Sequence, residues 1–177
     1  MLPALCVLSL LSLLAAPPAA AKPDDPWAGW RFLVGEWSGD GSGQPGQGQG
    51  GASFVLDLGE KVLVRRSQSV YPAAQGKTVT HEDLLVVYPG SGTEKEKKAV
   101  YFDNEGHGIH YSASATADGV VFLSEPAPDS PRFRLTYLRE KDGGVRVRFE
   151  IARPDKPDAF SPYVEGVTHK KAAKSGK

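Results

Sequence analysis

Cysteine is nearly absent from this chain of 177 residues: there is one, Cys6. It falls in the N-terminal segment 1–21, so no disulfide and no thiol chemistry is available to the rest. An excess of charge is missing too, with 21 Lys+Arg set against 21 Asp+Glu. Without a net field the chain has nothing to gather nucleic acid or an anionic membrane surface, and no nucleic-acid partner is expected. Long apolar runs are confined to Leu5–Ala16, roughly a dozen residues where a membrane span needs about 20, so no membrane span is expected. No stretch sustains helical periodicity. Catalytic motifs are lacking as well. There is no serine framed by glycines as in a nucleophile elbow and no Cys/His spacing of a zinc site. Gly41-Ser42-Gly43-Gln44-Pro45-Gly46 spells GxGxxG, but proline and further glycine prevent the helix that a dinucleotide site requires. The chain is not read as an enzyme.

What is present begins with a leader. The apolar core is followed by Ala19-Ala20-Ala21, a small-residue cleavage site of the secretory type. We expect residues 1–21 to be a signal peptide and the protein to be extracytoplasmic, periplasmic or secreted, after cleavage near Ala21. Residues 22–171 suit one domain. The lysine-bearing end, residues 172–177, is expected to be a disordered tail.

Between these ends the sequence predicts strand after strand. The stretch Trp27–Gly43 holds all the tryptophans; it reads as a short helical turn at Trp27–Arg31 followed by a strand from Phe32. The glycine-rich run 38–53 is then a loop or a glycine-tolerant strand end. Further strands are expected at Ser53–Leu58, Lys61–Tyr71, Thr78–Tyr88, Lys98–Asp103, Gly108–Thr116 and Val120–Ser124. Arg132–Arg139, Val145–Ala152 and Tyr163–Lys170 complete the series. Turn signals separate them, including Gly59-Glu60, Pro89-Gly90, Asn104-Glu105-Gly106 and Asp118-Gly119. Phe133, Leu135 and Tyr137 alternate with polar residues, as do Val145, Val147, Phe149 and Ile151. That is the pattern of an antiparallel sheet wet on one side. About ten short strands joined by hairpins point to an all-β, up-and-down antiparallel barrel, since closure removes exposed edges. A sandwich is the alternative.

A barrel with a lined interior can hold a small, mainly hydrophobic ligand. Taking Val62, Val64 and Val70 as the inward set places Arg66 and Gln68 inside, where a charge must be paired or solvated. Glu82, Glu150 and Glu165 are candidate partners, and an anionic ligand head is another. The aromatic candidates for the lining are Trp37, Tyr101, Tyr111, Tyr137 and Phe149. His110 and His169 are weak metal candidates, and no metal is expected. The competing readings are a barrel isomerase or cyclase using an interior Glu or Tyr as acid–base, and a structural or partner-binding domain without a ligand.

Phe32–Gly43, FLVGEWSGDGSG, resembles the first strand of calycin-type barrels, and Gly35-Glu36-Trp37 is similar to the Gly-x-Trp of lipocalins. The run Leu-x-Gly-x-Trp with alternating glycines is similar to nitrobindins and to an uncharacterised family of exported bacterial lipocalin-like proteins. VYFDNEGHGIHY at Val100–Tyr111, RFRLTY at Arg132–Tyr137 and the closing Tyr163–Lys171 extend the resemblance to that second family over most of the chain after residue 21. It implies a calycin-like barrel and no particular activity. Nitrobindin likeness implies ferric haem held by a histidine of the last strand. That position falls on Val164 or Gly166, with His169 nearby.

Overall fold

The computed structural model describes residues 25–39, 49–72, 77–90 and 96–172. The expected leader, the GxGxxG at 41–46 and residues 173–177 of the tail lie outside these. Ten strands follow one another: β1 (Gly35–Gly39), β2 (Gln49–Asp57), β3 (Val62–Pro72), β4 (Thr78–Pro89), β5 (Glu96–Asp103), β6 (Gly108–Ala115), β7 (Gly119–Ser124), β8 (Arg132–Arg139), β9 (Val145–Ala152) and β10 (Ser161–Lys170). Each pairs antiparallel with its neighbours in sequence, and β1 closes the barrel against β10. The expected architecture is the one observed. The first strand starts later than expected, because residues Arg31–Leu33 form a 3₁₀ turn that carries the chain to Gly35.

Hydrophobic alternation sets the faces. Leu135 and Tyr137 on β8 and Val145 on β9 are buried, while the alternate arginines point out. On that outer surface Arg134 pairs with Glu150 at 2.6 Å, and Glu165 takes both Arg146 at 2.9 Å and Arg148 at 3.0 Å. On β8, β9 and β10, then, charge faces out and apolar side chains face in. Among the described residues no helix is long and apolar enough to cross a membrane.

One end of the barrel is plugged by the tryptophan stretch. Trp27, Trp30 and Leu33 are 1–2 % exposed. An indole N–H is costly to bury unpaired, and two of the three buried indoles donate to carbonyls. Trp27 Nε1 donates to Glu60 O at 2.7 Å, and Trp37 Nε1 donates to Leu33 O at 2.6 Å. The first of these fastens the plug to the β2–β3 hairpin, whose tip holds Leu58, Gly59 and Glu60 at positive φ. Arg139 grips the plug from the side, donating to Gly29 O at 3.2 Å and lying 4.1 Å over the Phe32 ring. From Trp30 an edge-to-face path of rings runs inward through Phe122 to Tyr137 and Phe54.

The β3 expectation is corrected here. Hairpin pairing sets Arg65 opposite Phe54 and Leu85, both buried core residues. The inward set is therefore Leu63, Arg65, Ser67, Ser69 and Tyr71, and Arg66, Gln68 and Val70 are exposed on the outside. The physical cause is parity: a one-residue slip exchanges the two faces of a strand.

Candidate functional site

Below the plug the barrel encloses a cavity of about 980 Å³. Its apolar lining comes from Trp37, Phe54, Tyr111, Leu135, Val147 and Phe149. Five of the residues expected from sequence thus meet there: Trp37, Tyr101, Tyr111, Tyr137 and Phe149. Arg66 and Gln68 do not. They border a separate outer groove with Glu82, to which Gln68 Nε2 donates at 2.8 Å. The other two acids expected to partner Arg66 are also outside, committed to Arg134, Arg146 and Arg148.

The cavity has one polar wall, built from β3, β4, β5 and β8. At its inner end the Arg65 guanidinium, 8 % exposed, bonds through Nη1 to the Tyr137 hydroxyl and through Nη2 to Asp83 Oδ1. Its Nε is buried with no hydrogen-bond partner among the described residues. Burial works against the Arg65 charge, but Tyr137 and Asp83 outweigh it and hold the group above its usual pKa. Burial likewise raises the Tyr137 phenol.

Nearer the open end, His81 sits on the same face as Asp83, two residues along β4. Its Nδ1 lies 3.1 Å from Glu105 Oε1 and its Nε2 lies 3.1 Å from the Tyr101 hydroxyl. Its Nε2 also lies 3.8 Å from Asp83 Oδ2. The Tyr101 hydroxyl reaches Asp103 Oδ2 at 3.2 Å. Burial, with the negative charges of Asp83 and Asp103 close by, pushes the Tyr101 phenol well up, so it remains protonated.

Asp103 anchors the turn that follows. Its Oδ1 accepts the backbone N–H groups of Glu105 and His107, at 3.0 and 2.9 Å, and His107 Nδ1 lies 2.9 Å from its Oδ2. Burial would raise this carboxyl, but the bonds from His107 and Glu105 prevail and hold it below the ordinary value of 3.8. Gly106 supplies the positive φ the turn needs, as its hairpin chemistry predicts.

Sequence reasoning did not place Arg65, His81, Asp83 or Asp103 in the site. A signal for three of them was present in the period of two: His81 with Asp83, and Tyr101 with Asp103, must share a face of their strands. Both weak metal candidates are on the outside. His110 pairs with Val100 and is exposed, and His169 pairs with Ser38 of β1 and is exposed. Among the described residues no three His, Cys, Asp or Glu are grouped to hold a metal.

Fold and cavity together define a class, the closed ten-stranded antiparallel β-barrel with an interior cavity, compatible with a calycin-like fold. Comparison with protein families and with curated proteins finds no match for this chain. Haem of the nitrobindin kind does not fit the residues present. Val164 and Gly166 of β10 pair with the cavity-lining Phe149 and Val147, and the one histidine of that strand points outward.

Proposed function

We propose that the barrel is an exported protein that binds a small, mainly hydrophobic molecule in its interior. The observation that carries the reading is the cavity of about 980 Å³, apolar on one side and bearing a buried, hydrogen-bonded polar wall on the other. This matches the composition of small-molecule sites, which are mostly apolar with a few placed polar groups. A core serving stability alone has no use for a buried ion pair, since an apolar replacement is commonly as stable.

The wall also narrows the ligand. Arg65 is already neutralised by Asp83, and Asp103 and Glu105 stand beside them. A carboxylate entering there would meet more negative than positive charge. A neutral ligand with one polar group fits better than the anionic head suggested by a lone interior arginine.

Native mass spectrometry of the protein recovered from an export-competent host tests the reading. We expect a bound organic mass, or the appearance of one after incubation with a hydrophobic metabolite extract. A bare polypeptide mass under both conditions would overturn it and favour a structural or partner-binding domain. The same spectrum reads the start of the exported chain, expected near residue 22.

A further inference from the structure

The polar wall does more than a binding role requires. His81 is held at both nitrogens. A carboxylate can only accept, so Nδ1 carries a proton toward Glu105, and the state of Nε2 depends on Tyr101. The Tyr101 hydroxyl has one hydrogen and two acceptors in reach, His81 Nε2 at 3.1 Å and Asp103 Oδ2 at 3.2 Å. With a neutral imidazole, the hydroxyl donates to Nε2 or turns its hydrogen to Asp103, which frees the Nε2 lone pair of its hydrogen bond. With an imidazolium, Nε2 donates to the Tyr101 oxygen and Tyr101 donates to Asp103. The network therefore stabilises either protonation state of the ring by rotation of one hydroxyl, and exchange of the proton with a ligand requires the Tyr101 phenol to shift away from Nε2. Both His81 and Tyr101 line the cavity. At the inner end Tyr137 accepts from Arg65, which leaves its own hydroxyl hydrogen for a ligand oxygen.

We propose that this wall is an acid–base site, with His81 moving a proton from the α- to the γ-carbon of a β,γ-unsaturated carbonyl compound held in the cavity, an isomerase-type reaction. The inference rests on the ligand-binding reading above. In the step, the C–H bond next to the ligand carbonyl breaks, and its proton passes to His81 Nε2. The electron pair moves onto the carbonyl oxygen as an enolate, which accepts the Tyr137 hydroxyl. The enolate is conjugated with the ligand's β,γ double bond, so the proton returns from Nε2 to the γ-carbon as the C=O bond re-forms and the carbon–carbon double bond shifts to the α,β position. No oxidant or co-reactant is needed. Glu105 is a positioning residue, since it fixes the tautomer that frees Nε2. The ionisable groups around the ring are Glu105 from the β5–β6 turn, Tyr101 and Asp103 from β5, and Asp83 on its own strand. Arg65 from β3 lies behind Asp83, and His107 behind Asp103.

The probe is 5-nitrobenzisoxazole, a neutral, mostly apolar compound. Loss of its ring C–H proton to a base breaks the N–O bond and releases a coloured cyanophenolate. The full exported protein should open it with saturation kinetics, and the rate should titrate with a single group. General-base catalysis contributes about 10²-fold or more, so H81Q should lower kcat by about that factor and abolish the titration. H110Q, on the outer face, should leave the rate unchanged. Nile red fluorescence reports cavity occupancy separately. Nile red binding together with a rate equal in wild type and H81Q would overturn the acid–base site while sparing the binding reading. No binding of either compound would overturn both. Should H81Q lose Nile red binding, E105Q decides: a slowed rate with a shifted pH profile and intact Nile red affinity supports the site, and an unchanged rate and profile overturns it.

Discussion

Replacing Arg65 by methionine keeps an unbranched apolar stem and removes the guanidinium and its charge. In the folded barrel this strands Asp83, whose side chain is 7 % exposed and whose Oδ1 loses its partner. Tyr137 loses a donor at the same time. Breaking a buried ion pair from one side costs about 3–5 kcal/mol. At roughly 2–4 °C per kcal/mol for a chain of this size, R65M should melt roughly 6–20 °C below wild type. Replacing both partners, as in R65M/D83L, removes the stranded charge and should recover stability to within about 1 kcal/mol of wild type. Urea unfolding followed by tryptophan fluorescence suits the measurement, because Trp27, Trp30 and Trp37 are all less than 5 % exposed. The neighbouring R66Q, on the outer face, should stay within about 0.5 kcal/mol. If R65M is as stable as wild type, or the double variant is no better than the single, the pair is not a desolvated one and the wall described above is wrong.

Two further outcomes are expected. Asp103 has its folded pKa below the ordinary 3.8, so its ionised form stabilises the fold above that pH, and the contribution is lost as pH falls through the lowered value. D103N should flatten this acid limb of the stability profile; an unchanged slope between pH 5 and about pH 2 would refute the assignment. W27A should destabilise by about 3–5 kcal/mol, since it empties the plug and frees the Glu60 carbonyl. A loss below about 1 kcal/mol would show that the barrel end does not depend on the plug.

The sequence by itself determined the strands, their order and most of the interior surface. Hairpin signals at close spacing leave few topologies open, and clean alternation on β8 and β9 put Tyr137 and Phe149 inside without reference to any partner strand. It did not determine the chemistry of the wall. Val62-Leu63-Val64 offers apolar residues at both parities, and Arg65-Arg66 offers an arginine to either face, so nothing local chooses between them. The choice is made by the β2–β3 hairpin and by pairing with Phe54 and Leu85, whose burial drags Arg65 inward. The convergence of Arg65 with Tyr137, 72 residues on, and of His81 with Glu105, 24 residues on, is likewise invisible along the chain. Period two says which residues share a face of one strand; only closure of the barrel brings those faces together around one cavity.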